Sequence, residues 1–275
     1  MEKIQTYIQS VDDILHGGIP KYAVTVISGG PGTGKTVLTQ QLMFDNAKRG
    51  AKCIYFTTLS EPVPKLIRNM SSFEFFDENL VGHGFQFADI GTALRTGGPQ
   101  AALDKVAEMV EAEQPDIVAI DSFKAIHDLA PDVESARLFV YDLAVQLSIW
   151  SVTSFLVGEY SIEDIHVSPE FAIADAIINI VYEQEELLRL REIEILKLRG
   201  SDFNSGRHFL NISSAGVRVY PRVGTIPEEE HVELKQRIAS GVPGLDELFH
   251  GGLLDGSATL IEGATGDLGH CRSRQ

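Results

Sequence analysis

From Ala23 onward the chain alternates continuous apolar runs with stretches whose apolar residues return every three or four positions. The first kind predicts strands buried on both faces, the second helices with one buried stripe. AVTVISG (23–29) predicts a strand followed by a helix opening at about Lys35, and KCIYFTT (52–58) a strand followed by a helix over about Val63 to Met70. A strand around GFQFADI precedes a helix carrying Leu103, Val106 and Val110 at i, i+3, i+7. DIVAID (116–121) is a buried strand, Ala136, Val140, Leu143 and Leu147 repeat the helical spacing, and SVTSFLVGE (151–159) is strand again. Strands and helices in alternation predict an α/β fold with a mostly parallel sheet covered on both faces. The intervening IGTALRTGGPQ (90–100) reads as a glycine-rich loop, a plain connector or else a docking or mobile segment.

From Asp175 the texture changes. AIINIVYEQ, LREIEILKLRG, HFLNIS and GVRVYPR follow one another as strand-like runs and predict a C-terminal antiparallel β extension. GTIPEEEHVELKQRIAS (224–240) is polar and charge-rich and reads as a linker. Beyond it the chain repeats itself at an offset of 234: Asp12, His16, Gly17, Gly18, Gly29 and Gly32 recur as Asp246, His250, Gly251, Gly252, Gly263 and Gly266. The frames DDILHGGIPKYAVTVISGGPG and DELFHGGLLDGSATLIEGATG agree too well for chance. Residues 1–223 therefore read as one domain and 241–275 as the truncated start of a second copy.

Composition narrows the classes. The 275 residues are 44% hydrophobic, enough for a sizeable core, and no apolar run approaches the roughly 20 residues that span a bilayer. MEKIQTYIQSVDD has no apolar signal core, so a cytoplasmic protein is expected, with no membrane partner. Cys53 and Cys271 stand in no CxxC or CxxH spacing, which argues against a disulfide framework or a zinc site. A net charge of -16 repels phosphodiester backbones, and no basic run exceeds two adjacent residues, so no nucleic-acid partner is expected.

The chemistry sits in GGPGTGKT, Gly29, Gly30, Pro31, Gly32, Thr33, Gly34, Lys35 and Thr36, which satisfies G-x-x-x-x-G-K-[ST] between a strand and a helix. Glycines let the backbone N–H groups turn inward around phosphate, the helix N-terminus adds partial positive charge, Lys35 reaches the β/γ-phosphates, and Thr36 offers its hydroxyl to Mg²⁺. Asp121 ends DIVAID at the carboxyl edge of the sheet and suits the second Mg²⁺-associated group; a turn-capping aspartate is the plainer alternative. Glu61, in TTLSEP, is the candidate for orienting water, against an ordinary loop acid. Lys197 and Arg199, two apart in EILKLRGSD, share a strand face; they either neutralise phosphoryl charge, their own or a neighbour's, or simply balance Glu192 and Glu194.

Gly29 to Thr36, TLSEP, IDS at 120–122, Glu159, KLRG at 197–200 and the HGG before each glycine loop together resemble the KaiC family of RecA-like ATPases. The likeness covers residues 8–222 as the first of that family's tandem domains and 241 to about 266 as the start of the second. It implies a RecA-like P-loop fold and a homo-hexameric ring with ATP and Mg²⁺ between subunits. In that ring Gly32 to Thr36 and Val37 would hold phosphates. Lys197, Leu198 and Arg199 would reach the nucleotide across the interface, and Ser72, Ser201, Ser213 and Ser214 match positions that touch base or ribose. Clock-type members carry two adjacent Glu after the second strand, where this chain has Ser60 and Glu61, and a family His four residues after the Arg of KLRG is Phe203. One acid in place of two implies slow ATP turnover.

The resemblance further implies a KaiB-like or histidine-kinase partner and a timing or signalling task. Two other readings compete. A RadA- or RecA-like recombination ATPase needs basic or aromatic DNA-facing loops, whereas EYSIEDIHVSPEF, where one would lie, is acidic. A serine/threonine autokinase belongs to the family's second domain, so no autophosphorylation is expected here. In the repeated loop Thr33, Gly34, Lys35 and Thr36 become Asp267, Leu268, Gly269 and His270, which leaves no lysine for phosphate and no hydroxyl for Mg²⁺.

Overall fold

A computed structural model describes residues 2–58, 62–130, 132–185, 188–222, 236–255 and 259. The chain divides into two compact units, Met1–Arg222 and Val223–Gln275. The first begins with a hook in which β1 (Lys3–Ile4) pairs with β2 (Ile19–Pro20) around helix α1 (Gln9–Ile14). Then come β3 (Val24–Gly29), α2 (Lys35–Ala47), β4 (Cys53–Thr57), α3 (Val63–Met70), β5 (Phe85–Asp89), α4 (Gly91–Glu113) and β6 (Ile117–Asp121). They are followed by α5 (Phe123–His127), α6 (Val133–Trp150), β7 (Thr153–Val157), α7 (Ile162–Val167) and α8 (Pro169–Ile173). Four strands close the unit: β8 (Ala176–Glu185), β9 (Leu188–Leu198), β10 (Arg207–Ser213) and β11 (Gly216–Tyr220).

Among the described residues these strands form one nine-stranded sheet in the order β11-β10-β9-β8-β3-β7-β6-β4-β5. From β8 to β5 every neighbour is parallel; from β8 to β11 every neighbour is antiparallel. The antiparallel part therefore starts with the β8/β9 pairing, and AIINIVYEQ itself runs parallel to β3, with Thr25 opposite Ala176 and Gly29 opposite Ile180. The short helices α7 and α8 return the chain to the amino edge after β7, so β8 has to start there.

The apolar runs explain the sheet. Successive residues of β4 and β6 alternate between two cores: Cys53, Tyr55, Ile117 and Ala119 face one, and Ile54, Phe56, Val118 and Ile120 the other. The first core is closed by α1, α2 and the C-terminal strands, the second by α4, α5 and α6. A strand covered on both faces needs apolar residues at every position, which is why these runs do not alternate with polar residues.

Helix boundaries follow local chemistry. Asp132 accepts the Ser135 N–H at 2.8 Å at the start of α6, and Ser161 with Asp164 forms a reciprocal capping box at α7. The stretch read as the loop IGTALRTGGPQ is instead the first two turns of α4. Its N–H at Gly91 is capped by Asp89 Oδ1 at 2.7 Å, and Gly91 and Leu94 are buried. Gly98, at φ 73° and ψ -167°, breaks that helix and Pro99 starts the next segment, a position where proline loses no hydrogen bond. Tertiary burial outweighed the poor helix propensity of two glycines and two threonines.

In the second unit, β12 (Arg237–Ile238) pairs with β13 (Leu253–Leu254) around α9 (Pro243–Leu248). It reproduces the N-terminal hook residue for residue at the offset of 234. Lys3 faces Pro20 as Arg237 faces Leu254. The Asp12 carboxylate accepts the Thr6 N–H at 2.7 Å, and Asp246 accepts the Ser240 N–H at 2.7 Å. His16, Gly17 and Gly18 have φ of 49°, 108° and 116°; His250, Gly251 and Gly252 have 51°, 109° and 112°. In each copy the second glycine lies so close to the facing strand that a Cβ would strike a carbonyl oxygen, that of Ile4 or of Ile238. The recurring HGG is thus a backbone requirement. The tail from Gly263, including Gly266 and Cys271, lies outside the described residues. No helix among the described residues is long and apolar enough to cross a membrane.

Candidate nucleotide site

In the sheet order, β3 is followed by β7 and β6 before β4, although β4 is next in the chain. That jump opens a crevice at the carboxyl ends of the parallel strands, the usual place for a ligand in an open α/β sheet. Two sequence-predicted elements meet there. Gly29 to Thr36 leaves β3 and turns into α2, with Gly34 at φ 107° directly before the helix. A Cβ at Gly34 would also press on the Ile212 Cδ1 methyl of β10, which would have to turn aside, but it is the positive φ that favours glycine here.

Within the loop, Thr33 Oγ1 and Lys35 Nζ both donate to the Gly30 carbonyl, at 2.9 and 2.7 Å. The Tyr182 hydroxyl of β8 donates to the Gly32 carbonyl at 2.8 Å. Lys35 is only 6% exposed, and this burial lowers its ammonium pKa, while Glu159 and Asp121 oppose the shift by their negative charge. Asp121 ends β6 opposite Thr57 of β4 and Val157 of β7. Its Oδ2 accepts the Thr36 hydroxyl at 2.7 Å and the Tyr55 hydroxyl at 2.5 Å. Burial raises the Asp121 pKa; the hydrogen bonds from Tyr55 and Thr36 and the charge of Lys35 act against that rise.

Gly32, Gly34, Lys35, Thr36, Tyr55 and Asp121 line a cavity of about 750 Å³ together with Val37, Ser122, Lys124, Glu159, Arg191 and Ile212, while Gly30, Thr33 and Tyr182 line a neighbouring cavity of about 350 Å³. The floor of the larger cavity is cationic and rich in N–H donors, and its wall bears a hydroxyl and a carboxylate in hydrogen-bond contact. Hard oxygen donors of that kind fit Mg²⁺, which takes one or two protein oxygens and completes its shell with water and phosphate. No group of three or more His, Cys, Asp or Glu able to hold a metal occurs among the described residues. Thr36 and Asp121 are the residues that would hold the cation.

The remaining predicted residues lie elsewhere. Leu198 faces Ala176, which faces Thr25, so KLRG is at the amino edge of the sheet. At a rise of about 3.3 Å per residue, the four steps from Thr25 to Gly29 put it about 13 Å from the chain's own loop along the strand direction alone, and it lies two strands across as well. Lys197 Nζ donates to the carbonyls of Phe171 and Ala172 at 3.3 Å, and Arg199 reaches Ala172 O at 3.3 Å and Asp175 at 3.4 Å. Both side chains converge on one carbonyl, while Glu192 and Glu194 pair with Arg207 instead, at 3.4 and 3.6 Å.

Ser72 is exposed and bonds Asn69 O at 2.9 Å, Ser201 bonds Asp202 O at 3.1 Å, and Ser214 joins Glu74. Ser213 follows Ile212, the cavity residue of β10. Glu61 and Ser60 lie outside the described residues. Sequence reasoning missed Tyr55, Lys124 and Arg191. Tyr55 alone had a signal: a hydroxyl inside the otherwise apolar, fully buried run CIYF needs a partner.

A glycine-rich loop between strand and helix, with Lys35, Thr36 and a strand-end aspartate in one crevice of this sheet, defines a P-loop nucleotide-binding protein of RecA-like fold. The comparisons make the assignment particular. The family model described as "ATPase: KaiC" matches residues 4–224. The chain is 30% identical over 97% of its length to the circadian clock oscillator protein KaiC of a Picosynechococcus strain, and 28% identical over 97% to circadian clock oscillator protein KaiC 1 of Synechocystis; both alignments cover 53% of the relative. The chain thus spans about half the length of the curated relatives it matches. A solved KaiC-like protein of the archaeon Pyrococcus horikoshii superposes with a TM-score of 0.72 at 24% identity, over 80% of this chain and 99% of that one. This chain belongs to the KaiC ATPase family.

Proposed function

We propose that the chain binds Mg·ATP at Gly29–Thr36 and hydrolyses it slowly, within a ring of six copies that holds nucleotide between neighbours. On this reading the nucleotide state governs the docking of a partner, of KaiB or histidine-kinase type, in a timing or signalling task. Residues 1–223 act as the ATPase domain, 224–240 as linker and 241–275 as the start of a second such domain. The observation that carries the reading is the convergence of Lys35, Thr36 and Asp121 on one cavity. The clock names of the half-matched relatives support the timing role.

The chain's own residues divide the work. Loop N–H groups and the α2 N-terminus receive phosphate oxygens, and Lys35 leaves the Gly30 carbonyl for them. Gly30 O keeps the Thr33 hydroxyl, so this transfer orphans no buried group. When bound, Mg²⁺ supplies charge neutralisation at the β- and γ-phosphates. Thr36 and Asp121 orient it, and Glu61 orients or deprotonates the attacking water. The amino-edge position of Lys197 and Arg199 supports their serving a neighbouring copy's nucleotide, since they do not line the cavity beside their own loop. The acidic stretch 159–171 is largely built into α7 and α8, which favours the ATPase reading over the DNA-binding one.

Turnover of Mg·ATP, measured with light scattering on the same sample, tests this. Wild type should hydrolyse ATP and shift to a larger species with Mg·ATP, and Lys35→Ala should do neither. Glu61→Gln should lose roughly 10²- to 10⁴-fold in rate. If Glu61→Gln matches wild type while Lys35→Ala is inactive, the base assignment is wrong. If wild type neither binds nor turns over ATP, the whole reading fails.

A further inference from the structure

Tyr55 occupies the middle of β4 and is 0% exposed. Its ring packs at 6.4 Å from Phe85 and 5.8 Å from Phe87, in the core beneath α2. Phenylalanine would satisfy every one of those contacts. The hydroxyl is what packing does not require, and burying it is costly unless it is bonded. Tyr55 is opposite Ala119, two residues before the Thr57–Asp121 pair. Two strand residues rise about 6.6 Å, within reach of a tyrosine side chain that leans along its strand, and the hydroxyl meets the strand-end Asp121. There it donates to Asp121 Oδ2 at 2.5 Å, the oxygen that also takes the Thr36 hydroxyl at 2.7 Å. Gln40, one turn after Thr36 on the same helix face, is wholly buried near the Tyr55 hydroxyl, and among the described residues neither of its amide atoms has a hydrogen-bond partner.

We infer that Tyr55 is a positioning residue of the nucleotide site: its hydroxyl fixes the Asp121 carboxylate so that the oxygen not bound to Tyr55 faces the divalent cation that accompanies the nucleotide. The inference rests on the Mg·ATP reading above. Thr36 has two tasks, and once its oxygen serves the cation its hold on Asp121 changes. Tyr55 has only one. It keeps the carboxylate from rotating when the Thr36 contact changes, and it lowers the cost of holding a buried negative charge. Tyr55 acts through Asp121, which takes its hydroxyl, so its removal should act on cation dependence and leave metal-free binding largely unchanged.

The test is Tyr55→Phe in the full chain, with fluorescent mant-ATP as probe. Binding is measured in EDTA, and Mg²⁺ is then titrated at constant mant-ATP. The Mg²⁺ midpoint should rise about tenfold, the effect of one lost hydrogen bond to a charged group. Affinity in EDTA should stay within about twofold, and Tyr55→Phe should add nothing in an Asp121→Asn background. An unmoved Mg²⁺ midpoint, even with a lowered Tm, overturns the assignment and leaves Tyr55 a packing residue. An equal loss with and without Mg²⁺ overturns it as well. If wild type binds no mant-ATP at all, the nucleotide reading falls and this assignment with it, whereas normal binding with an unshifted midpoint removes the assignment alone.

Discussion

Replacing Lys35 with methionine should separate folding from ligand binding. Methionine keeps the unbranched stem that is buried at the base of the cavity and removes only the ammonium group. In the free protein that group donates to Gly30 O at 2.7 Å, but the same carbonyl retains the Thr33 hydroxyl at 2.9 Å. The lost hydrogen bond is offset by relief of desolvation, because the ammonium is 6% exposed and burial already disfavours its charge. The Tm without nucleotide should therefore stay within about 2 °C of wild type, less than 1 kcal/mol for a domain of this size. Ligand stabilisation should behave in the opposite way. At a hundred times Kd a ligand adds about 2.7 kcal/mol, and at about 2–4 °C per kcal/mol Mg·ATP should raise the wild-type Tm by about 5–10 °C. Lys35→Met should lose nearly all of that rise, because no other described cation lies within the loop itself. Thermal melts with and without Mg·ATP measure both quantities. A variant that keeps the full ATP shift would refute the role of Lys35 at phosphate, and a collapsed nucleotide-free Tm would refute the argument that Thr33 and desolvation compensate.

Other consequences can be measured on the same chain. Gly18→Ala places a Cβ against the Ile4 carbonyl at φ 116° and should destabilise by more than about 2 kcal/mol; Gly98→Ala, at φ 73° in open space, should cost only about 1 kcal/mol in urea melts. Burial raises the Asp12 pKa above 3.8, against hydrogen bonds from Thr6 and Tyr7. The folded state then holds that proton to higher pH than the unfolded chain, so this group's contribution to stability declines as pH rises from 3.8 through its folded pKa. Wild type should lose ground against Asp12→Asn across that window, and an unchanging difference between their urea midpoints from pH 3.5 upward would contradict the shift. Arg207→Ala removes partners of Glu183, Glu192 and Glu194 on a half-exposed face; the cost should be about 1 kcal/mol or less and should shrink in high salt.

How far the sequence could be read depended on how local the cause was. The parallel strands were legible because a strand buried on both faces must be apolar at every position, and Lys35 at the head of α2 because its motif is a local backbone shape. The hook of Asp12 and HGG was legible through its repetition, since the same collisions with carbonyl oxygens impose the same glycines twice. The first turns of α4 were misread because Gly91, Gly97 and Gly98 argue locally for a loop, whereas the burial of Leu94 and the Asp89 cap come from neighbours brought in by folding.

Sequence by itself determined the α/β alternation, the phosphate-type loop with Lys35 and Thr36, the strand-end aspartate and the duplicated hook, because each is set by contacts within a few residues or by a strict periodicity. Tertiary structure decided the rest. It ran β8 parallel to β3, put Lys197 and Arg199 at the sheet edge away from their own loop, and joined Tyr55 to Asp121 across 66 residues of chain. Those facts depend on strand order and register, which arise from the packing of two cores around one sheet and leave no signature in any single stretch of sequence.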